Sequence, residues 1–415
     1  MIRRTLYAVA AALALAVPAA TAAIPADVTG EIKGAPYRIV VPASWNGTLV
    51  VYAHGYRDLA DHPGEVDNRA AEAAPDPALE PYLLAQGYAL AGSAYKTNGW
   101  AVEEGVDDTV ALVKHFTKTI GKPKRTLLWG FSMGSVVTLD LADRGGDRFD
   151  GYLPACAVGA GAPRAWDGAG VLSAAYGAAF GWPATWGTPA DVRDTLDFDT
   201  EVFPKLLGEI SNLANWGKFE FMRLVSGAAP SSSPPPPSNW MFTNMFFATE
   251  ARAELERRAG GPVGQNLTHT YSLSASDKLY LQALGVDADA LLATMNAGRT
   301  VAAPKKARKY LERNAEYKGK IKRPVLTLHT QTDALVPASH ESAYAATVAG
   351  AGRSENLVQA FTDGDEHCEF TGPQLLTALG VLDNWVATGT PPTQASFPAA
   401  LGFLPGHTPP AWPQP

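Results

Sequence analysis

The chain has 415 residues, with 34 Lys and Arg against 41 Asp and Glu and a formal net charge of −7. That acidic balance argues against nucleic acid as a partner, while 46% apolar residues suffice for a sizeable folded core. Past the first residues, no segment is long and apolar enough for a membrane span.

The first residues read as a targeting segment. Arg3 and Arg4 form a charged start, residues 6–18 an apolar centre, and Ala20-Thr21-Ala22 a small-residue cleavage site. This predicts a signal peptide over 1–22 and a secreted protein, extracellular or periplasmic.

Next come two strands, over 37–42 and 48–52, joined by a turn at Trp45-Asn46-Gly47. The second strand leads into His54-Gly55-Tyr56. A helix over 81–86 stops at Gly87, and a buried strand follows over 88–95. Trp100 lies in the loop beyond it and is a candidate to line an aryl-binding pocket. The spacing of Val106, Val110, Val113 and Phe116 predicts a helix over 106–119. The strand Thr126-Leu127-Leu128-Trp129 then runs into Gly130-Phe131-Ser132-Met133-Gly134, with a helix over 135–141 behind it. G-x-S-x-G between strand and helix forces a tight turn that lifts the serine hydroxyl above the sheet, where it can attack a carbonyl. A further strand over 151–155 ends at Cys156.

From 161 to 319 the strand–helix alternation stops. The stretch is helix-like and holds five of the ten tryptophans (Trp166, Trp182, Trp186, Trp216 and Trp240), most of them expected in a core of its own. Its Pro/Ser run over 230–238 predicts a stiff spacer, and the basic residues between Lys305 and Arg323 a solvated helix face. Alternation resumes at 324–329, which makes 161–319 an insertion over the sheet's carboxyl edge and 23–160 with 320–388 the core. Residues 389–415 are rich in proline and should lie extended on the surface.

A serine nucleophile needs a base and an acid to orient that base. Asp333 follows the strand over 325–330, and His367 follows a strand over 356–361 in the loop Gly364-Asp365-Glu366-His367-Cys368. The order Ser132, Asp333, His367 is the one G-x-S-x-G predicts. His329 is expected to pack inside the sheet. Two backbone amides should receive the developing oxyanion: Met133, directly after the serine, and Tyr56, after Gly55. The Tyr56 hydroxyl is the alternative to its amide.

Ser132 in its elbow, Asp333 before Leu-Val-Pro, a late His367 and an early His-Gly together resemble the α/β-hydrolase family. The resemblance covers about 30–160 and 320–388 and leaves the insertion uncovered. It implies an α/β fold with an eight-stranded, mainly parallel sheet, and acyl transfer with neither cofactor nor metal. The large insertion is similar to the caps of feruloyl-esterase- and tannase-like enzymes. On this fold Cys156 and Cys368 both reach the carboxyl edge of the sheet, and an exported chain with two cysteines is expected to bond them.

These features predict an esterase acting on aryl or bulky apolar esters, or on polyesters, through Ser132. The competing reading is a serine exopeptidase of the prolyl-aminopeptidase type, which would need carboxylates such as Glu250, Glu254 or Asp287 to grip a substrate ammonium. A non-catalytic binding protein on the same scaffold is the third.

Overall fold

The computed structural model describes residues 24–144, 146, 148–229 and 238–412. The leader expected over 1–22 and the proline run over 230–237 lie outside them. Eight strands form one sheet: β1 (Ala26–Ile32), β2 (Ala35–Val41), β3 (Thr48–Ala53), β4 (Ala89–Ser93), β5 (Arg125–Phe131), β6 (Gly151–Ala155), β9 (Val325–Thr330) and β10 (Leu357–Thr362). β7 (Gly187–Thr188) and β8 (Asp191–Val192) make a separate two-residue ladder. The main sheet runs β1-β2-β4-β3-β5-β6-β9-β10. β2 is antiparallel to both β1 and β4, and every other pair is parallel. This is the eight-stranded, mainly parallel arrangement that the resemblance implied.

The central strands read as unbroken apolar runs because both faces are covered, as parallel sheets require. On one face Val106, Leu112, Val113 and Phe116 of the helix Val102–Thr119 pack with Val137 and Leu139 of the helix Met133–Arg144. On the other, Leu375, Leu379, Leu382 and Trp385 of the helix Gly372–Thr388 meet Leu127, Trp129 and Leu153. Two layers of helix thus fix β5 in the middle, so that its carboxyl end is held rigidly.

Between β6 and β9 the chain leaves the sheet for eight α-helices among the described residues, from Ala162–Phe180 to Lys305–Ala315. Trp186, Trp240, Phe219 and Phe221 build a core of their own there. Another apolar cluster joins this region to the sheet, uniting Met133, Val136 and Trp100 with Trp166, Leu255 and Leu311. The basic helix is less solvated than its charge suggests. It buries Ala307 and Leu311, and two of its arginines are engaged, Arg308 with Asp167 and Arg313 with Glu103.

The C-terminal residues also depart from expectation. Instead of only lying along the surface, the chain bridges Phe403 to Thr362 of β10 and buries Phe397 and Phe403 in the core beneath the sheet. Proline removes backbone donors but does not prevent aromatic side chains from docking, and the aromatics decide here. Among the described residues, no helix is long and apolar enough to cross a membrane.

Candidate active site

The turn after β5 leaves no room for side chains at its two glycines. A Cβ at position 134 would stand 2.0 Å from the Ala53 carbonyl oxygen, and one at position 130 would stand 2.1 Å from that of Gly134. Ser132 sits between them at φ 55°, in the left-handed region that a non-glycine residue seldom occupies. The helix Met133–Arg144 starts at once, so Met133 offers one of the backbone N–H groups that no intrahelical carbonyl can take.

The chain ends of three strands meet at this point. His367 Nδ1 lies 2.6 Å from Asp333 Oδ2, and His367 Nε2 lies 2.8 Å from Ser132 Oγ. A carboxylate can only accept, so Nδ1 carries the proton and Nε2 presents its lone pair to the serine hydroxyl. Asp333 is fully buried, and its other oxygen accepts from the amides of Leu335 and Val336 at 2.9 and 2.8 Å. Burial pushes its carboxyl up, but the charge and hydrogen bond of His367, together with nearby His329, outweigh this and hold it below its ordinary value. His329 is buried in the sheet as expected; its Nε2 donates to the Val336 carbonyl at 2.8 Å and lies 3.8 Å from Asp333.

Two ties hold the histidine loop. Thr330 Oγ1 donates to the Glu366 carbonyl at 2.9 Å, and Cys368 is disulfide-bonded to Cys156 at the end of β6. Cys156 and Cys368 thus meet as the sequence suggested.

The loop after β3 packs against the serine: a Cβ on Gly55 would lie 3.4 Å from Ser132 Cβ and 4.0 Å from its Oγ. His54 closes that loop through Nδ1, 2.7 Å from the Gly55 carbonyl. Tyr56 follows, its ring packed edge-on against Phe246 and Phe247 and its hydroxyl 3.5 Å from Asp58 Oδ1. Burial and the carboxylates of Glu254, Asp58 and Glu250 keep that hydroxyl protonated.

Ser132 and Met133 open into a cavity of about 150 Å³. Trp100 lines it, as expected, and stands edge-on to Trp166 at 5.1 Å. Asn244 lines it as well. Its amide donates to the Ala334 carbonyl at 3.0 Å, and its buried Oδ1 has no partner among the described residues.

Three further lining residues were not foreseen: Arg164, His340 and Trp412. Arg164 and Trp412 belong to segments without strand–helix rhythm, where sequence periodicity gives no signal. His340 lies at the start of the helix Ser339–Gly350, with no sequence motif around it to mark it. It is buried, accepts from the Ala160 amide through Nδ1 at 3.2 Å, and meets the Trp412 ring edge-on at 4.6 Å. Burial, aided by the charge of His329, pushes its imidazole down to about 3, so it is neutral.

The carboxylates that a peptidase reading would enlist are engaged elsewhere. Glu250 accepts from the Phe198 amide, Glu254 from the Trp100 amide and Arg258, and Asp287 caps a helix through the Ala290 amide. Among the described residues, no Asp or Glu lines the cavity.

No family model matches the chain. An o-phthalyl amidase of Xanthobacter agilis is 29% identical over 123 residues, which make up 29% of this chain and 24% of that protein. The chain therefore spans about a quarter of the length of this curated relative. Among solved structures, a lipase in its open form is similar over 88% of this chain and 99% of its own, with 14% identity and a TM-score of 0.39. Feruloyl esterase B of Aspergillus oryzae is similar over 88% and 80%, with 14% identity and a TM-score of 0.36. Proline iminopeptidase of Mycobacterium smegmatis is similar over 88% and 96%, with 12% identity and a TM-score of 0.35.

Proposed function

We propose that this chain, whose sheet order and serine elbow give it the α/β-hydrolase fold, is a serine hydrolase that cleaves carboxylic esters through an acyl-enzyme on Ser132. The observation that carries the reading is the unbroken line of two short hydrogen bonds, from Ser132 to His367 and from His367 to Asp333.

In this reading His367 Nε2 takes the hydroxyl proton as Oγ bonds to the ester carbonyl carbon. Buried Asp333 stabilises the imidazolium that results. The oxyanion accepts from the Met133 and Tyr56 amides, each worth about 3 kcal/mol of barrier. Collapse of the intermediate expels the alcohol, which leaves with the proton from His367. Water then attacks the acyl carbon, giving its proton to the same base, and the acid departs as Ser132 is restored. The Tyr56 hydroxyl faces Asp58, which favours the amide over the hydroxyl as donor.

A cavity of about 150 Å³ holds roughly one benzene ring, and its Trp100, Trp166 and Phe247 walls suit an aryl or compact apolar group. Among the described residues no carboxylate lines the cavity, which favours the esterase reading over an aminopeptidase that grips a substrate ammonium. The amidase relative puts simple amides beside esters as substrates to be tried. The leader and the disulfide together support export.

The test is hydrolysis of short-acyl, long-acyl, aryl and aminoacyl 4-nitrophenyl esters and anilides, with fluorophosphonate labelling of Ser132. We expect turnover of the compact esters and a loss of roughly 10⁵–10⁶-fold in kcat for Ser132→Ala. Undiminished turnover by that variant would overturn the reading, and failure to label would favour a binding protein.

A further inference from the structure

The helix Ala162–Phe180 opens directly against the cavity, and its first turn carries an arginine, Arg164. That position is electrostatically wrong for a cation. The N-terminal end of a helix is positive, and a like charge there costs about 0.3–1 kcal/mol. No acidic residue occupies this first turn, and no side chain caps the helix at Gly161. Arg164 makes no ion pair or hydrogen bond with any described residue. It is the sole formal charge among the described residues that line the cavity, since His340 is neutral. Arg164 is exposed, so water solvates its charge, and no described carboxylate competes for it. The guanidinium and the uncapped helix end add their positive potentials at the same wall.

We propose that Arg164 is a specificity residue that binds a free carboxylate on the substrate, so that the favoured substrate is a compact, ring-sized ester carrying one anionic group. The inference rests on the reading of the cavity as the substrate site. Arg164 donates up to two parallel hydrogen bonds to the carboxylate, a geometry that suits its planar fork. The apolar walls take up the ring between that carboxylate and the scissile ester. An anion held by Arg164 offsets the small cost of a cation at the helix start.

The experiment measures equilibrium binding by titration calorimetry, with benzoate as the anionic probe and benzamide as its neutral counterpart. It uses the full mature chain, Arg164→Gln and Arg164→Lys. Benzoate should bind the parent protein about tenfold more tightly than benzamide, as a charge-assisted pair at a partly exposed site allows. Arg164→Gln should abolish that preference, Arg164→Lys should keep part of it, and raising the salt concentration should shrink it. Equal affinities in the parent protein, or a preference that survives Arg164→Gln, would overturn the proposal. So would the absence of benzoate binding at millimolar concentration. The readout needs no turnover. An inactive chain that still prefers benzoate would therefore overturn the esterase reading and leave only carboxylate binding by Arg164, and an active chain without the preference would overturn the role of Arg164 and leave the esterase reading standing.

Discussion

Removing the disulfide tests the link between global stability and the histidine loop. Cys156 and Cys368 are 212 residues apart, so their bond closes about half of the chain into one loop. In the chain-entropy account, a loop of that length stabilises the folded state by about 5 kcal/mol. Both half-cystines sit at positive φ, 43° and 60°, which costs on the order of 1 kcal/mol each and relaxes once the tether is cut. The expected net loss for the double variant Cys156→Ala with Cys368→Ala is therefore about 3–4 kcal/mol. Urea unfolding followed by circular dichroism and tryptophan fluorescence reads this as a lowered midpoint. Because Cys368 adjoins His367, the same variant should also lose kcat. A misplacement of about 1 Å can cost up to a hundredfold, and we expect at least about tenfold. An unchanged unfolding midpoint together with an unchanged kcat would refute the reasoning. Lower stability at full kcat would show that the hydrogen bonds of the loop position His367 without the disulfide.

Other perturbations bear on the elbow, the acid, the oxyanion donor and the pH response. Gly134→Ala should fail to fold or be strongly destabilised, because its Cβ meets the Ala53 carbonyl; soluble expression and thermal melting at the parent temperature would contradict this. Asp333→Asn should keep the fold but lower kcat by about 10⁴-fold by favouring the wrong imidazole tautomer, with steady-state kinetics as the check. Tyr56→Phe should leave kcat within about twofold, since the amide and not the hydroxyl is the expected donor; a loss near the 10²-fold typical of a missing oxyanion donor would assign that role to the hydroxyl. Glu250 faces Asp58, Glu65 and His62 as well as the Phe198 amide. Burial raises the Glu250 carboxyl, the Phe198 amide partly offsets this, and Asp58 and Glu65 raise it further. The folded state therefore holds a proton that the unfolded chain has lost, and stability falls as pH rises from the ordinary carboxylate range through neutrality. Glu250→Gln should flatten that decline in melting temperature, and an equally steep decline would count against the carboxylate cluster.

That Ser132, Asp333 and His367 would meet was legible because each follows a strand with a distinctive local pattern. Gly130 makes room for the Gly134 carbonyl within the turn and Gly134 for the Ala53 carbonyl of β3, and the pair leaves a five-residue mark in the sequence; Asp333 and His367 follow buried strands whose β-rich runs stand out. Trp100 was reachable as a bulky residue in a loop at the same sheet edge. The edge strand β1 escaped notice although Ala26, Val28 and Ile32 alternate with Asp27, Thr29 and Glu31, because none of its residues is fully buried and Gly30 interrupts its β-rich run. Arg164, Asn244 and Trp412 escaped for a different reason. They come to the cavity from the inserted helices and the C-terminal segment, and long-range packing leaves no mark on local periodicity. The expectation of an extended tail came from its prolines, whereas Phe397 and Phe403 decided its course.

That course has a practical side. Having crossed beneath β10, the chain comes back to lay Trp412 on His340, at a wall of the cavity that holds Ser132. On the proposed reading of that cavity, a tag fused directly behind Trp412 would hang next to the substrate, and a truncation that removes Trp412 would strip away part of that wall. Deletions that remove Trp412 therefore double as a probe of how this indole shapes the cavity.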